Sequence, residues 1–230
     1  MNNPLLSIQI PTTPDREQQT KHLIDKIMGD YRSYDTYLSQ TDELTEGRYV
    51  SSVLPIELLI YVDDKQMTIG EKREKLYGGA NGLYSWQIDS DDDVASNAIE
   101  LIFTAILSGM LYGSDTFYTN NCPDCITFQE HCTINGVHYK SNHSLSYGDW
   151  EGDGQKELSD GFHFHRTPFM KSVIKTSIAK SVPVPHIRFG EDHQWAQALK
   201  PHLKTEIHIP EDIYLYQHDS TDHNERYGIK

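Results

Sequence analysis

The sequence predicts a single α/β domain in which a mostly parallel central sheet is flanked by helices on both faces. Short apolar runs with strand character alternate along the chain with segments of helical periodicity, which is the element order of α/β folds. The chain has 230 residues, 37% of them hydrophobic, which suffices for one sizeable core and argues against two full domains. In this fold class, ligands bind at the carboxyl ends of the strands.

The chain begins with a predicted strand and a predicted helix. Residues 5–10 form the apolar run LLSIQI, and the turn that follows places Thr13 where it can cap a helix with Pro14 at its first position. One apolar stripe at helical spacing predicts the buried face of this helix: Leu23, Ile24, Ile27 and Met28.

A second strand is predicted at residues 57–62, and it ends on two acidic residues, Asp63 and Asp64. An acidic side chain at the end of a strand is suited to hydrogen bonding with a nucleotide base or ribose. We therefore expect Asp63 or Asp64 to hold the base of a nucleotide.

The next helix is predicted from its first turn. Thr68 and Glu71 have the spacing of a capping box, which predicts a helix over residues 72–76. Lys72 and Arg73 lie at its start, where either can reach a diphosphate. Mixed charges on a helix are otherwise typical of a solvated face.

The third predicted strand, residues 83–88, leads directly into a run of carboxylates. Side chains two positions apart on an extended backbone point to the same side, so Asp89 and Asp91 can share one hard divalent cation such as Mg²⁺ or Mn²⁺. Asp92 and Asp93 are then spare. Such a cluster is otherwise typical of a solvated turn or of the first turn of a helix.

The second half of the chain continues the alternation. Residues 99–112 predict a buried or half-buried helix that is too short to span a bilayer. Asn135-Gly136 between two strand-like runs predicts a hairpin. The remaining predicted elements are a loop at 141–161, a strand at 162–166, a helix after Pro168 that carries Lys171 and Lys175, and a last strand at 211–218.

Three cysteines, Cys122, Cys125 and Cys132, fall within eleven residues, and their odd number does not suggest a disulfide framework. Cys122-x-x-Cys125 has the spacing of a metal knuckle, and Cys132 with His131 or His138 would complete a tetrahedral Zn²⁺ site. The alternative is a set of reduced cysteines packed in a loop insertion at about 118–161.

The charge balance restricts the classes of partner. Lys and Arg number 20 against 34 Asp and Glu, and the net charge of −14 argues against a surface that grips nucleic acid or an anionic membrane as a whole. A local basic groove remains compatible with this balance. The N-terminus lacks the basic region and long apolar stretch of a signal peptide, so the expected location is the cytoplasm.

The order of motifs around the carboxylates resembles the nucleotide-sugar-binding half of GT-A fold glycosyltransferases, especially the family 2-like inverting enzymes. The shared order is a helix with a basic residue, the small-x-Gly turn Ala80-Asn81-Gly82, a hydrophobic strand and the Asp-x-Asp motif Asp89-Ser90-Asp91. The resemblance implies a Rossmann-like GT-A domain over residues 1–218, followed by a polar tail at 219–230. Short bacteriophage-encoded members look similar, in which case the protein would lie in the host cytoplasm.

The resemblance implies roles for several further residues. Asp89 and Asp91 would bind the metal ion, with His218 as a third ligand and His223 as its alternative. The residues that would contact the nucleotide are Pro11, Thr12, Thr13, Arg16, Asp63, Asp64, Arg73 and Asp89.

A second motif, Gly190-Glu191-Asp192, looks like the Glu-Asp pair that GT-A enzymes place at the start of a helix facing the sugar. In inverting members the aspartate deprotonates the acceptor hydroxyl, so Asp192 would be the general base and Glu191 would support it or contact the acceptor. Without the upstream motif, Asp192 would be typical of an acidic residue in the first turn of a helix.

The implied activity is metal-dependent transfer of a sugar from a nucleoside-diphosphate sugar to an acceptor hydroxyl, with inversion. The acceptor would be a hydroxymethylated base in phage DNA or a surface glycan. Two other classes of function remain open: a nucleotide-sugar-binding protein without transfer activity, and a zinc-stabilised interaction module in which the cysteines matter and the carboxylates do not.

Overall fold

The structure is a computed structural model that describes residues 4–28, 47–50, 55–111 and 122–219. Most of the polar tail and the alternative ligand His223 therefore lie outside the described residues. The helices within these ranges are α1 (Glu17–Met28), α2 (Ile69–Gly79), α3 (Ala98–Leu111), α4 (Thr176–Ser181) and α5 (Glu191–Leu199). The strands are β1 (Leu6–Thr12), β2 (Gly47–Val50), β3 (Ile56–Val62), β4 (Tyr84–Gln87), β5 (Asp93–Val94), β6 (Cys125–Ile134), β7 (Val137–His143), β8 (Phe164–Arg166), β9 (Val173–Lys175) and β10 (Glu206–His218).

The described strands form one sheet in the order β2-β3-β1-β4-β9-β6-β10-β5, and β7 and β8 continue from β6. Strand β1 pairs in parallel with β3 and β4, and β6 pairs in parallel with β10. The short β9 lies antiparallel to both β4 and β6, so the two parallel blocks run in the same direction. This arrangement confirms the predicted α/β fold with a mostly parallel central sheet.

Alternation along the strands divides the apolar residues between two cores. Leu6, Ile8 and Ile10 of β1 belong to a cluster with residues of α1 and α3. A second cluster contains residues of α2, α4 and α5, and Tyr77 stacks on Trp195 there with ring centroids 5.1 Å apart. Neighbouring residues of β9 and β6 pack in different clusters, so the two cores lie on opposite faces of the sheet.

The second face of β1 carries polar side chains that are hydrogen-bonded inside the protein. Ser7 donates to a Glu57 carboxylate oxygen at 2.5 Å, and the Gln9 amide donates to Ser85 Oγ at 2.9 Å. Gln87 in turn donates to Gln9 Oε1 at 2.9 Å. These pairs join β1 to β3 and β4, so the register of the parallel strands is fixed by side chains as well as by the backbone ladder.

The predicted cysteine-bearing insertion at about 118–161 needs a correction. Its residues 125–134 form β6, which lies inside the sheet between β9 and β10. Because Ile126 and Phe128 are fully buried in the first core, this segment is part of the domain and not an added loop.

The predicted helix after Pro168 is also wrong. Lys171 lies in a loop, and Lys175 ends strand β9. The β-branched Val173 and Ile174 are paired with β4 on one side and β6 on the other, and this tertiary pairing overrides the helical pattern.

Two local signals are confirmed. Thr68 and Glu71 form the capping box at the start of α2, with the Glu71 N–H donating to Thr68 Oγ1 at 3.2 Å. Asn135 and Gly136 adopt φ values of 50° and 76° between β6 and β7, which is the left-handed geometry of a tight hairpin turn. In the described part of the chain, none of the helices has the length and hydropathy needed to cross a bilayer.

Gly82 provides a test of this packing. A Cβ atom at Gly82 would lie 2.6 Å from the backbone nitrogen of Ser7, so we expect Gly82→Ala to lower the free energy of unfolding by ~1–3 kcal/mol. Gly78→Ala in α2 is the matched control, because a Cβ there meets nothing within 4 Å. Urea unfolding of the two variants checks this; equal stability would contradict the close approach of β1 to the turn before β4.

Candidate active site

A pocket opens at the edge of the sheet where the first strands end. Its empty volume is about 630 Å³. Because β1 and β4 are parallel neighbours, the turn after β1 and the carboxylates after β4 meet at this edge. The lining residues are Pro11, Thr12, Thr13, Asp15, Arg16, Lys65, Met67, Ile69, Lys72, Asp89 and Arg188.

The pocket gathers most of the residues predicted to contact a nucleotide. Those found in its lining are Pro11, Thr12, Thr13, Arg16 and Asp89. Three others, Asp63, Asp64 and Arg73, are not among the lining residues. The sequence reasoning missed Lys65 and Met67, although both follow β3, whose parallel pairing with β1 directs its end to the same edge.

Asp63 acts on the pocket through a neighbour. Its carboxylate lies 3.6 Å from Lys72 Nζ and accepts a hydrogen bond from the Met67 N–H at 3.3 Å. Burial lowers the pKa of Lys72, and the charge of Asp63 opposes that shift. Asp63 therefore keeps a cation at the pocket wall, whereas Asp64 is exposed.

The pocket has an excess of positive side chains in a chain of net charge −14. Its cations are Arg16, Lys65, Lys72 and Arg188, and its acids are Asp15 and Asp89. Such a local excess is suited to an anionic ligand group such as a diphosphate.

Arg73 is the central buried charge of the site. Its guanidinium donates to an Asp89 carboxylate oxygen at 3.1 Å, to Gln87 Oε1 at 3.2 Å and to Glu191 Oε1 at 3.2 Å. Burial opposes its charge, but Asp89 and Glu191 outweigh burial and raise the pKa of Arg73. Each of its three nitrogens bonds a group of the protein. The expectation that Arg73 reaches a diphosphate stays a prediction.

Asp89 and Asp91 lie in different surroundings. Burial works against ionisation of Asp89, but Arg73 and Lys171 outweigh it, and the pKa of Asp89 is lowered. Asp91 is more exposed, and its carboxylate pairs with Arg16 Nη2 at 2.7 Å. Each carboxylate of the predicted motif is thus paired with an arginine.

Asp92, predicted to be spare, is an anchor of the carboxylate loop. It accepts hydrogen bonds from Tyr214 Oη at 2.7 Å and from the Gln217 N–H at 2.8 Å, both on β10. The Asp89 N–H donates to the same Tyr214 hydroxyl at 3.0 Å. Burial raises the pKa of Asp92 to about 7, against the opposing charge of Lys171. These bonds fix the loop to β10 from behind the pocket.

Lys171 holds this buried network together. Its ammonium lies 3.3 Å from Asp92 and 3.0 Å from Glu130, and it lies over the ring of Tyr216 at 3.7 Å. His143 Nε2 lies 3.1 Å from the other Glu130 oxygen. Sequence reasoning missed this network because its members come from segments that carry no shared local pattern.

The second predicted motif starts α5. Gly190 adopts a φ of 75°, after which Glu191 is buried and Asp192 is half-buried. Burial raises the pKa of Glu191, and Arg73 opposes that shift. The Asp192 carboxylate accepts a hydrogen bond from the N–H of His193 at 2.8 Å. Since Arg73 bonds both Asp89 and Glu191, one guanidinium connects the two motifs that the sequence predicted separately.

The metal ligands predicted from the sequence are only partly brought together. His218 is the last residue of β10, and its carbonyl accepts from the Asn135 N–H at 2.8 Å. Among the described residues, no group of three or more His, Cys, Asp or Glu side chains is placed to hold a metal ion. Asp89 and Asp91 stay candidate ligands, since ions such as Mg²⁺ or Mn²⁺ are commonly bound by one or two carboxylates together with substrate phosphates.

The predicted zinc site is not assembled. Cys125 packs in the second core, whereas Cys122 belongs to the first core. Cys132 is seven residues further along β6, which corresponds to roughly 20 Å of extended strand. The three buried thiols therefore belong to the packing of the sheet.

The aromatic residues of the loop after β7 contact other parts of the protein. Tyr147 stacks on the His165 ring with centroids 4.1 Å apart, and Trp150 contacts Phe169 at 5.1 Å and His193 at 4.9 Å. This loop thereby packs beside the start of α5, next to Asp192.

No protein-family model and no curated protein matches this chain. Its fold is similar to that of S. aureus TarS. The TarS fragment 1–349 solved with UDP-GlcNAc has a TM-score of 0.56 and 12% identity over 92% of this chain and 58% of that chain. The same fragment solved with UDP has a TM-score of 0.55 and 13% identity over 96% of this chain and 62% of that chain. This chain thus spans less than two thirds of the TarS fragment, and the likeness shows a GT-A-like fold.

The Tyr214 hydroxyl should be a main support of the carboxylate loop. Tyr214→Phe removes the group that joins the Asp89 N–H to Asp92, and we expect the free energy of unfolding to fall by ~1–3 kcal/mol. Tyr216→Phe is the matched control, because it keeps the ring over Lys171 and its hydroxyl makes none of the described hydrogen bonds. Urea unfolding measures both; a smaller loss in Tyr214→Phe than in Tyr216→Phe would contradict the anchoring role.

Proposed function

We propose that this chain is a glycosyltransferase that moves a sugar from a nucleoside-diphosphate sugar to an acceptor hydroxyl. The main support is the meeting of a cationic pocket, the carboxylates Asp89 and Asp91, and the start of α5 at one edge of the sheet, with Arg73 bonded to both motifs. The likeness to TarS, solved with UDP-GlcNAc and with UDP, favours a uridine nucleotide as the donor's carrier.

The donor would bind with its nucleotide against the turn after β1 and its diphosphate among the pocket cations. Pro11, Thr12 and Thr13 supply a wall at the strand end, and Arg16 and Lys72 supply positive charge. Asp63 contributes by holding Lys72 at this wall. Charge-assisted hydrogen bonds to phosphate are about twice as strong as neutral ones, so these cations would provide much of the affinity.

Asp89 and Asp91 would hold Mg²⁺ or Mn²⁺ together with diphosphate oxygens. When bound, the ion supplies positive charge to the leaving diphosphate. The protein contributes two carboxylates, Asp89, which is fixed by Arg73, and Asp91, which is more accessible from solvent. His218 is left out of this proposal, since it does not join these carboxylates in a group of three.

Asp192 would accept the proton of the acceptor hydroxyl as the hydroxyl attacks the anomeric carbon. A carboxylate in this role needs access to the acceptor, and Asp192 is half-buried at the N-terminus of α5. Glu191 is buried against Arg73, so it would position Asp192 and not contact the acceptor. Attack from the side opposite the departing diphosphate gives inversion at the anomeric carbon.

The acceptor would bind on the second side of the site, beside Asp192. The loop after β7 brings Trp150 against His193 of α5, the residue after Asp192, and these rings offer a surface for a sugar or a nucleobase. A hydroxymethylated base in DNA and a surface glycan are therefore both candidate acceptors. A transfer assay with each of them decides between the two.

Donor binding tests the first half of the proposal. Thermal unfolding with UDP-GlcNAc, UDP and other nucleotide sugars should give a higher melting temperature with Mn²⁺ than with a chelator, because a ligand at 100 times its Kd stabilises the native state by ~2.7 kcal/mol. Asp91→Asn should abolish the Mn²⁺-dependent part of the shift. Asp93→Asn is the control, since Asp93 pairs with Lys26 and is not a proposed ligand. No stabilisation by any nucleotide sugar would refute the proposal.

Asp192→Asn tests the second half. The amide keeps the size of the side chain but cannot accept the acceptor's proton, so transfer should fall by ~10²–10⁴-fold. Donor affinity should stay within a few-fold of wild type, which calorimetry measures on the same preparation. Transfer at near wild-type rates would exclude Asp192 as the base, and donor binding by wild type without any turnover would favour a binding protein.

A further inference from the structure

Arg166, the last residue of β8, is held in place by two aromatic rings and two carbonyl groups. Its guanidinium carbon lies over the Trp150 ring at 4.8 Å and over the Phe164 ring at 4.7 Å. Its Nη1 donates to the Glu151 carbonyl at 2.8 Å and to the His165 carbonyl at 2.9 Å. The rings stabilise the positive charge, and the carbonyls fix the plane of the guanidinium.

The other edge of the Arg166 guanidinium, formed by Nε and Nη2, is open. Within the residues that the structure describes, neither nitrogen donates to a protein group and no carboxylate pairs with the guanidinium. Neither nitrogen is buried without a partner, so solvent reaches this edge. The N–H groups of Nε and Nη2 are parallel, which is the geometry that binds the two oxygens of a carboxylate or of a phosphate.

Trp150 connects Arg166 to the start of α5. Its ring contacts the Arg166 guanidinium and, at 4.9 Å, the ring of His193, which directly follows Asp192. Burial lowers the pKa of Arg166, and the charges that oppose this shift include those of Glu130 and Asp192. Arg166 therefore lies on the same side of the site as the proposed catalytic base and within range of its charge.

The surroundings of Arg166 favour an acceptor with isolated anionic groups over a polyanion such as DNA. The side chains of Glu151 and Asp160 are 64% and 43% exposed, and both lie against His165, the neighbour of Arg166. Binding of DNA depends on several cations that neutralise successive phosphates, and exposed carboxylates beside the arginine would repel such a backbone. A sugar that carries one carboxylate or one phosphate needs one fixed arginine.

We propose that the acceptor is an acidic glycan and that Arg166 binds the carboxylate or phosphate of its accepting sugar. The inference rests on the proposed function and names the acceptor class for the same site. Arg166 would orient the acidic sugar so that its free hydroxyl lies within hydrogen-bonding reach of Asp192. Because the guanidinium is already held by the protein, binding the anion costs little further side-chain entropy.

Binding of small sugars in the presence of saturating UDP and Mn²⁺ tests this proposal, because UDP fills the donor pocket and the sugars then report on the acceptor side. The probes are glucose, glucuronate and glucose 6-phosphate, which share a ring and differ in the anion. Wild type should bind at least one acidic probe about tenfold more tightly than glucose, and Arg166→Gln should remove this preference, because a charge-assisted hydrogen bond is lost. Titration calorimetry measures the three affinities, and the probe that is preferred identifies the anion.

Lys156→Gln is the matched control for net charge. Lys156 is exposed in the loop between β7 and β8, so this variant should keep the preference for the acidic probe. Arg166→Lys is the second variant, because it keeps the charge but has no pair of parallel N–H groups. Its preference should fall between those of wild type and Arg166→Gln. Glucose should bind all variants with equal affinity, which shows that the acceptor side is still formed.

Four results would contradict these expectations. Wild type that binds neither acidic probe more tightly than glucose would overturn the proposal, and so would a preference that Arg166→Gln retains. Equal losses of glucose and acidic-probe binding in Arg166→Gln, with a lower melting temperature, would show a purely structural role and overturn it as well. Binding of a short DNA oligonucleotide that needs Arg166, without a preference for acidic sugars, would replace the glycan by DNA.

Failure of wild type to bind UDP would instead refute the proposed function. This outcome is distinguishable from the others, because UDP binding is measured before any sugar is added.

Discussion

Arg73 carries a positive charge that is almost completely removed from solvent, and the geometry of the whole site follows from how that charge is compensated. Its partners come from three separate elements: Gln87 ends β4, Asp89 begins the carboxylate loop, and Glu191 starts α5. A buried charge that loses a partner is strongly destabilising, so these three elements must stay in register with α2. The meeting of the carboxylate loop and the start of α5 at one edge of the sheet is thus a requirement for stability.

The acidic stretch after β4 is organised by pairing each of its four carboxyl groups with a cation, which keeps these neighbouring acids compatible in a chain of net charge −14. The four pairs differ in exposure to solvent, so neighbouring residues have separate roles. Asp89 is fixed by a buried arginine and Asp91 is more accessible to solvent, whereas Asp92 anchors the loop to β10 and Asp93 connects it to α1. The pairs are Arg73 with Asp89, Arg16 with Asp91, Lys171 with Asp92 and Lys26 with Asp93.

The sequence predicts correctly those features that depend on residues close together in the chain. The capping box at Thr68 and the Asn135-Gly136 turn are short-range signals, and both were predicted correctly, as was the α/β class. The partners inside the site were beyond such signals, because Arg73 and Glu191 are 118 residues apart and Lys171 and Glu130 are 41 apart. The same limitation explains the cysteine segment: spacing suggested a zinc knuckle, whereas pairing with β9 and β10 makes it a central strand.

Strand β9 connects the two parallel parts of the sheet. Within the described sheet, this strand of three residues, Val173–Lys175, lies between the parallel block of β1, β3 and β4 and the block of β6 and β10. Few main-chain bonds cross this seam, so side chains complete it, such as Tyr84, which donates to the Pro123 carbonyl, and Trp86, which donates to that of Lys171. The Trp86 bond holds the same loop that delivers the Lys171 ammonium to Asp92. The alignment of the two blocks and the charge balance of the carboxylate loop are therefore mechanically linked. A small slip between the blocks would misplace the carboxylates while leaving each block intact.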